Sequence, residues 1–265
     1  MNFKRTFIGF FKYAFRRVGL GITSYSTLSN LRRHALDRTS QDLELIRAIN
    51  PANYELMINL LPFSKSQLRQ DLFVLSEMNN KKQGFFVEFG AANGIDFSNT
   101  YLLETEFFWK GILVEPSRFW KESLQVNRPL AIKETLAIWS ESNLILKFNE
   151  VDVPELSTLD LYSNKDNHKN TRRSGNKYNV NTISLRDLLR KYEAPIDIDY
   201  LSIDTEGSEF EILNAFNFDE YNIKVITVEH NHTPQREPIY NLLTKYGYKR
   251  KYEKFSNFDD WFVRI

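Results

Sequence analysis

Phe85-Phe86-Val87-Glu88-Phe89-Gly90-Ala91-Ala92-Asn93-Gly94 is the stretch on which the reading of this chain turns. A run of aromatic and β-branched residues ends abruptly in a segment with two glycines, as a buried strand does when it enters a tight turn. Outward from it, short runs rich in Val, Ile and Phe alternate with helix-length amphipathic stretches. Candidate strands fall at 85–89, 111–114, 130–135, 200–203 and 224–228, with weaker ones at 144–148, 249–255 and 261–265. Helical stretches fall at 98–107, 117–126, 210–216 and 238–246. The alternation predicts an α/β fold with a mostly parallel sheet flanked by helices. Ligands of such sheets sit beyond the carboxyl ends of the strands, so polar residues after each strand are the ones to read for chemistry.

The turn after the first strand misses the dinucleotide spacing G-x-G-x-x-G, whose later glycines would fall on Ala92 and Ile95. A nicotinamide dehydrogenase is therefore the least favoured reading. Glu88, two residues before Gly90, suits a ligand with a cationic ammonium group better than one with a pyrophosphate. The second strand ends Ile112-Leu113-Val114-Glu115-Pro116, and Glu115 follows Gly94 by 21 residues. An acid there can accept hydrogen bonds from both hydroxyls of a ribose. The bland alternatives are a purely structural turn and a solvated strand-end acid. S-adenosylmethionine satisfies both sites at once, with an amino-acid moiety at the turn and a ribose at the second strand.

Composition sets wider limits. The chain has 265 residues, 42% hydrophobic and 26% charged, which excludes wholesale disorder. Its apolar runs fall far short of the roughly 20 residues of a membrane-spanning helix. With no cysteine, disulfides, thiolate metal sites and cysteine nucleophiles are excluded, and a reducing, cytoplasmic setting is expected. The net charge of +1 is uneven: residues 1–38 carry +7 and the rest −6. The body lacks the basic excess of a duplex nucleic-acid binder. On a helix, Phe3, Phe7, Phe10, Phe11, Phe15 and Val18 share a face opposite Arg5, Lys12 and Arg16. Residues 1–22 are thus expected to form a basic amphipathic helix. It meets either an anionic membrane surface, making the protein peripheral there, or protein, on its own body or in a homo-oligomer. Residues 23–80 read as a loose joint and a helical cap, with Ser64 as the N-cap of a helix reaching Asn79; the third segment is 81–265.

The fourth strand and its exit read Ile203-Asp204-Thr205-Glu206-Gly207-Ser208-Glu209-Phe210-Glu211-Ile212-Leu213. With the V-E-F-G-A-A-N-G-x-x-x-S-N-T turn, the G-I-L-V-E-P strand and T-I-S-L-R-D-L-L at Thr182–Leu189, this run resembles the FkbM family of S-adenosylmethionine-dependent methyltransferases. The resemblance runs from about Gly84 to the C-terminus, and the Ala91-Ala92 pair departs from the residues often found there. It implies a Rossmann-like class I methyltransferase fold, with a mostly parallel seven-stranded sheet and here an N-terminal helical extension. It also implies O-methylation of a sugar, glycan or other hydroxylated metabolite. On that footing the methionine portion of the cofactor is assigned to Glu88, Gly90, Ala92, Asn93 and Gly94, and the ribose to Glu115. The adenine is assigned to Ala137 and Ile138, closed by Trp139, and Asp204 also borders the cofactor.

Methyl transfer to oxygen needs an aligned acceptor and somewhere for its proton to go. Asp204 and Glu206 leave the fourth strand; Glu229, His230 and His232 leave the fifth. The expected base is His230 or Asp204, with Glu206 orienting it or the acceptor. The competing arrangement is a divalent metal, Mg or Mn, held by Asp204, Glu206 and His230. The plainer alternative is that Glu206 caps the next helix and His232 is a solvated loop residue. The 18-residue stretch 162–179, rich in Lys and Arg, reads as a long loop. Its Arg172 and Arg173, with His232, are the candidate contacts to an acceptor carrying a phosphate or a lipid-linked diphosphate. Alternatives to a glycan methyltransferase are a non-catalytic binding scaffold, an enzyme for a non-sugar small molecule, and a base methyltransferase. The last is disfavoured because Asp204-Thr205-Glu206-Gly207 stands where an N/D-P-P-Y/F run would be.

Overall fold

A computed structural model describes residues 38–49 and 51–265. The amphipathic helix expected at 1–22 lies outside the described residues, as does most of the joint after it. The chain divides into two units, 1–46 and 47–265, and residues 38–48 are helical. In the second unit the elements run α1 (Tyr54–Leu60), α2 (Gln70–Glu77), β1 (Phe85–Phe89), α3 (Tyr101–Phe107), β2 (Lys110–Val114), α4 (Lys121–Asn127) and β3 (Ile132–Glu134). Then come β4 (Ala137–Trp139), β5 (Ile145–Glu150), β6 (Thr158–Leu159), β7 (Asn176–Ser184), α5 (Leu185–Lys191) and β8 (Asp197–Ile203). The chain closes with α6 (Glu209–Asn214), β9 (Asn222–Glu229), α7 (Arg236–Lys245), β10 (Tyr248–Lys251), α8 (Glu253–Ser256) and β11 (Asp259–Arg264).

Seven strands make one sheet in the order β10-β11-β9-β8-β1-β2-β3. The five strands from β9 to β3 are mutually parallel, and β11 lies antiparallel between β9 and β10. The central parallel strands are rich in apolar residues on both sides because helices cover both their faces; Val87, Phe89, Ile112, Val114, Leu201, Ile203, Ile226 and Val228 are all buried in one core. This is the Rossmann-like class I methyltransferase architecture expected. Strand order reverses at β1, with β2 on one side and β8 on the other, which places a crevice at that switch point.

Between β3 and β8 the chain builds a second sheet, β4-β7-β5-β6, with its own small core of Ala137, Phe148, Leu159, Tyr162 and Val180. Only the last four residues of the expected loop at 162–179 belong to it, since β7 starts at Asn176; the rest of the stretch is turns and short 3-10 helices. The strand expected over 249–255 stops at Lys251: Tyr252 takes a left-handed φ of 54° and α8 follows. Helix α2 starts at Gln70, with Arg69 left-handed before it; Ser64 is no cap but donates to Asp71 Oδ1 at 2.7 Å. Residues 47–80 are tied to the sheet domain. Gln70 Nε2 donates to Asp259 Oδ2 at 2.7 Å, and Ser66 forms a parallel β-bridge with Phe97. Among the described residues no helix is long and apolar enough to cross a membrane.

Candidate active site

The register levels the carboxyl ends of four strands: Phe89 pairs with Val114 and with Ile203, and Ile203 pairs with Val228. Over these ends lies an open cleft. Its floor depends on Gly90, which has a left-handed φ of +76°; a Cβ there would lie 2.0 Å from the Asp204 carbonyl oxygen. Only glycine lets the β1 exit close on the β8 exit. Glu115 Oε2 accepts from Ala92 N–H at 2.9 Å and Oε1 from Ser117 N–H at 2.8 Å. A carboxylate has about four acceptor positions, so room remains for a ribose diol. Val114, Trp120, Ala137, Ile138 and Phe148 give the cleft an apolar side.

Of the residues expected to hold the cofactor, Glu88, Gly90, Ala92, Glu115, Ala137, Ile138 and Asp204 line this cleft. Asn93 and Gly94 do not. Asn93 Oδ1 instead accepts from the N–H groups of Ile95 and Asp96, which builds the turn. Gly94 lets the chain pass Arg128 and Leu124, whose atoms would lie 2.6 and 2.7 Å from a Cβ. Trp139 packs beside Tyr162 rather than closing the cleft; Trp120 and Phe148, unassigned from sequence, stand there instead. The Glu88 carboxylate accepts from Ser98 Oγ, Asn99 N–H and Thr100 Oγ1 at 3.0, 2.6 and 2.5 Å, so its first task is to fasten the loop after the turn.

Acids gather at the other end. Oxygens of Asp204, Glu206 and Glu229 lie within 4.8 Å of one another. Burial, then the charges of Glu209 and Glu88, push Asp204 up to about 7. Burial and Asp204 also raise Glu206, which Arg172 partly counters, and burial with Asp204 and Glu206 raises Glu229. Asp204 and Glu229 stand side by side, and burial with the charge of its neighbours raises each of them. Beside them Asp259 is pushed up to about 8, by burial first and then by Asp204. Glu206 does not cap α6: Glu209 Oε1 fixes the loop by accepting from Thr205 and Gly207 N–H at 2.9 and 3.0 Å.

His230 is misplaced for the roles expected of it. It is buried outside the cleft lining, with Nδ1 accepting from His232 N–H at 3.0 Å and Nε2 3.8 Å from Asp260 Oδ1. Burial pushes its pKa down to about 4. Its neighbour Glu229 reaches the cleft instead, because consecutive residues of an extended chain point to opposite sides. His232 is exposed and off the cleft. Arg172, expected to meet a phosphate, is buried. Its guanidinium holds Glu206 Oε2 and Asp166 Oδ2, each at 2.7 Å, and the Leu156 carbonyl at 2.7 Å. Arg173 is exposed and also away from the cleft lining.

The model of the methyltransferase FkbM domain matches residues 88–250, more than half of the chain. The chain belongs to this family. It is accordingly an S-adenosylmethionine-dependent methyltransferase. No curated protein matches it in sequence. Among solved structures, the FkbM chain is similar to the METTL16 methyltransferase domain, with TM-score 0.43 and 13% identity over 74% of this chain and 66% of that one. It is also similar to the human methyltransferase 10 domain containing protein, with TM-score 0.41 and 11% identity over 74% and 81% of the two chains. A third is a TehB-like S-adenosylmethionine-dependent methyltransferase from Corynebacterium glutamicum, with TM-score 0.39 and 10% identity over 82% and 100%.

Proposed function

We propose that this FkbM methyltransferase transfers a methyl group to a hydroxyl oxygen of a sugar or a related hydroxylated metabolite. The observation that carries the reading is Asp204, a half-buried carboxylate at the β8 exit whose pKa is pushed up to about 7. A base with that affinity can take a proton from a hydroxyl near neutral pH and release it afterwards. The site fits the cofactor: Glu115 keeps free acceptor positions, Gly90 leaves bare backbone, the apolar side suits an adenine, and the carboxylates favour a cationic ligand. When bound, S-adenosylmethionine supplies an electrophilic methyl group on a sulfonium. Glu115 would then hold the ribose hydroxyls, and Ala137, Ile138, Phe148 and Trp120 would enclose the base. Asp204 would receive the acceptor proton on a carboxylate oxygen, and Glu206, fixed by Arg172, would orient the acceptor hydroxyl.

A metal-assisted variant has its own support in the three oxygens of Asp204, Glu206 and Glu229. Oxygen-only ligation suits Mg or Mn, with Glu229 in place of the expected His230. A cofactor-turnover assay over monosaccharides, lipid-linked oligosaccharides and polysaccharide fragments, with and without EDTA, tests both. Methylation confined to nitrogen acceptors would overturn the O-directed reading; activity unchanged by EDTA would remove the metal. Calorimetry separates an enzyme from a scaffold that binds cofactor without turnover.

A further inference from the structure

We infer that Phe97 and Gln67 read the acceptor, and that the cleft takes an uncharged hydroxylated ring and rejects phosphorylated ones. The inference rests on the methyltransferase reading above and narrows its substrate. Its first support is charge. Seven carboxylates line the cleft and, among the described residues, no Lys, Arg or His does. The Arg172 guanidinium is turned to Glu206, Asp166 and the Leu156 carbonyl, is fully buried and lies off the cleft lining, so it does not face a ligand there. An anionic acceptor would find no protein cation there, and would meet the ionised members of this acid group at short range in a partly desolvated site, where repulsion is poorly screened.

The second support is shape. Phe97 lines the cleft with a φ of 63° and 52% of its surface exposed. A bulky aromatic residue in left-handed backbone is a real outlier, and such outliers persist where the surroundings over-determine them. Here they do: Glu88 fixes the following residues through Ser98, Asn99 and Thr100, and Asn93 Oδ1 fixes the preceding Ile95 and Asp96. The Ser66–Phe97 bridge brings Gln67 into the same wall. An aromatic face on fixed backbone beside an amide, in a cleft lined with carboxylates, matches a ring with an apolar face and hydroxyls at its edge. The amide donates to one hydroxyl and the carboxylates accept from others. Gln67 precedes the family-matched segment, so acceptor choice is set partly outside it.

The test uses matched pairs, monosaccharides and their methyl glycosides against the corresponding sugar monophosphates, with S-adenosylhomocysteine formation as the readout. Calorimetry with S-adenosylmethionine is run first on the full chain. We expect turnover of an uncharged member with kcat/KM at least tenfold above its phosphorylated partner. Phe97→Gly, whose residue suits the backbone, should raise the acceptor KM at least tenfold while leaving cofactor Kd within about twofold and the melting temperature unchanged or higher. Gln67→Ala should raise the same KM severalfold. The exposed rim residue Glu155→Lys should narrow the gap between the paired acceptors. Failure to bind cofactor overturns the methyltransferase reading and this inference together. Intact cofactor binding overturns this inference alone if phosphorylated members react as well as neutral ones, if Phe97→Gly leaves KM unchanged, or if no neutral ring reacts.

Discussion

Asp204 and Arg172 show how much depends on single side chains here. If the ionised Asp204 is the base, kcat should rise with pH and level off above about 7, the value to which burial and neighbouring acids push it. Asp204→Asn should lower kcat by roughly 10²–10⁴-fold, the usual range for a lost general base. A variant retaining a tenth of the wild-type kcat would remove Asp204 from that role. Arg172→Met leaves the buried Glu206 and Asp166 without their cation. Breaking such a buried pair costs about 3–5 kcal/mol, which urea unfolding should register. Stability near wild type would mean that the pairing contributes little. Glu115→Gln should weaken S-adenosylmethionine binding by about 10–100-fold, the equivalent of hydrogen bonds to a charged group, as read by calorimetry.

At the level of elements, the strands that carry the crevice were legible because they are buried on both faces and so read as runs dominated by apolar, β-branched and aromatic residues, with few polar interruptions: β1, β2, β8 and β9. Strand β7 was not legible. Its first six residues, Asn176-Lys177-Tyr178-Asn179-Val180-Asn181, are polar and largely exposed on an accessory sheet, so neither composition nor run length marked a strand. The site was readable to the same depth. Gly90 and Glu115 follow from strand ends, but Trp120 and Phe148 reach the cleft through tertiary packing, which spacing cannot reveal. The exchange of His230 for Glu229 turned on one residue: β9 runs to Glu229, one further than the apolar run suggests. Gly90 gives this level its own test. Gly90→Ala adds left-handed strain to a clash with the Asp204 carbonyl, and should cost roughly 2–4 kcal/mol and abolish cofactor binding. Cofactor binding that survives would show that the β1 and β8 exits can separate.

Across the whole molecule, the concentration of acids makes stability depend on pH. Asp204 and Glu115 titrate at about 7 and Asp259 at about 8 in the folded chain, against about 4 when unfolded. The folded state therefore holds more protons through that window, and stability falls as pH rises through it. His230, pushed down to about 4, acts oppositely but is complete by its ordinary 6.5. The melting temperature of the cofactor-free protein should thus fall between pH 6.5 and 8. Saturating S-adenosylmethionine, whose cationic groups favour the ionised acids, should reduce that fall. A rise across the same interval would show that the acids do not carry their protons as described. The placing of β11 has a practical corollary for anyone preparing the protein. Truncating to the span of the family match, 88–250, would remove an interior strand, leaving β9 and β10 with no shared neighbour, and would discard both Gln70 and the Asp259 that its amide holds near Asp204. Such a fragment should be recovered as insoluble material, whereas expression from residue 47 to the last strand keeps both ends of the staple.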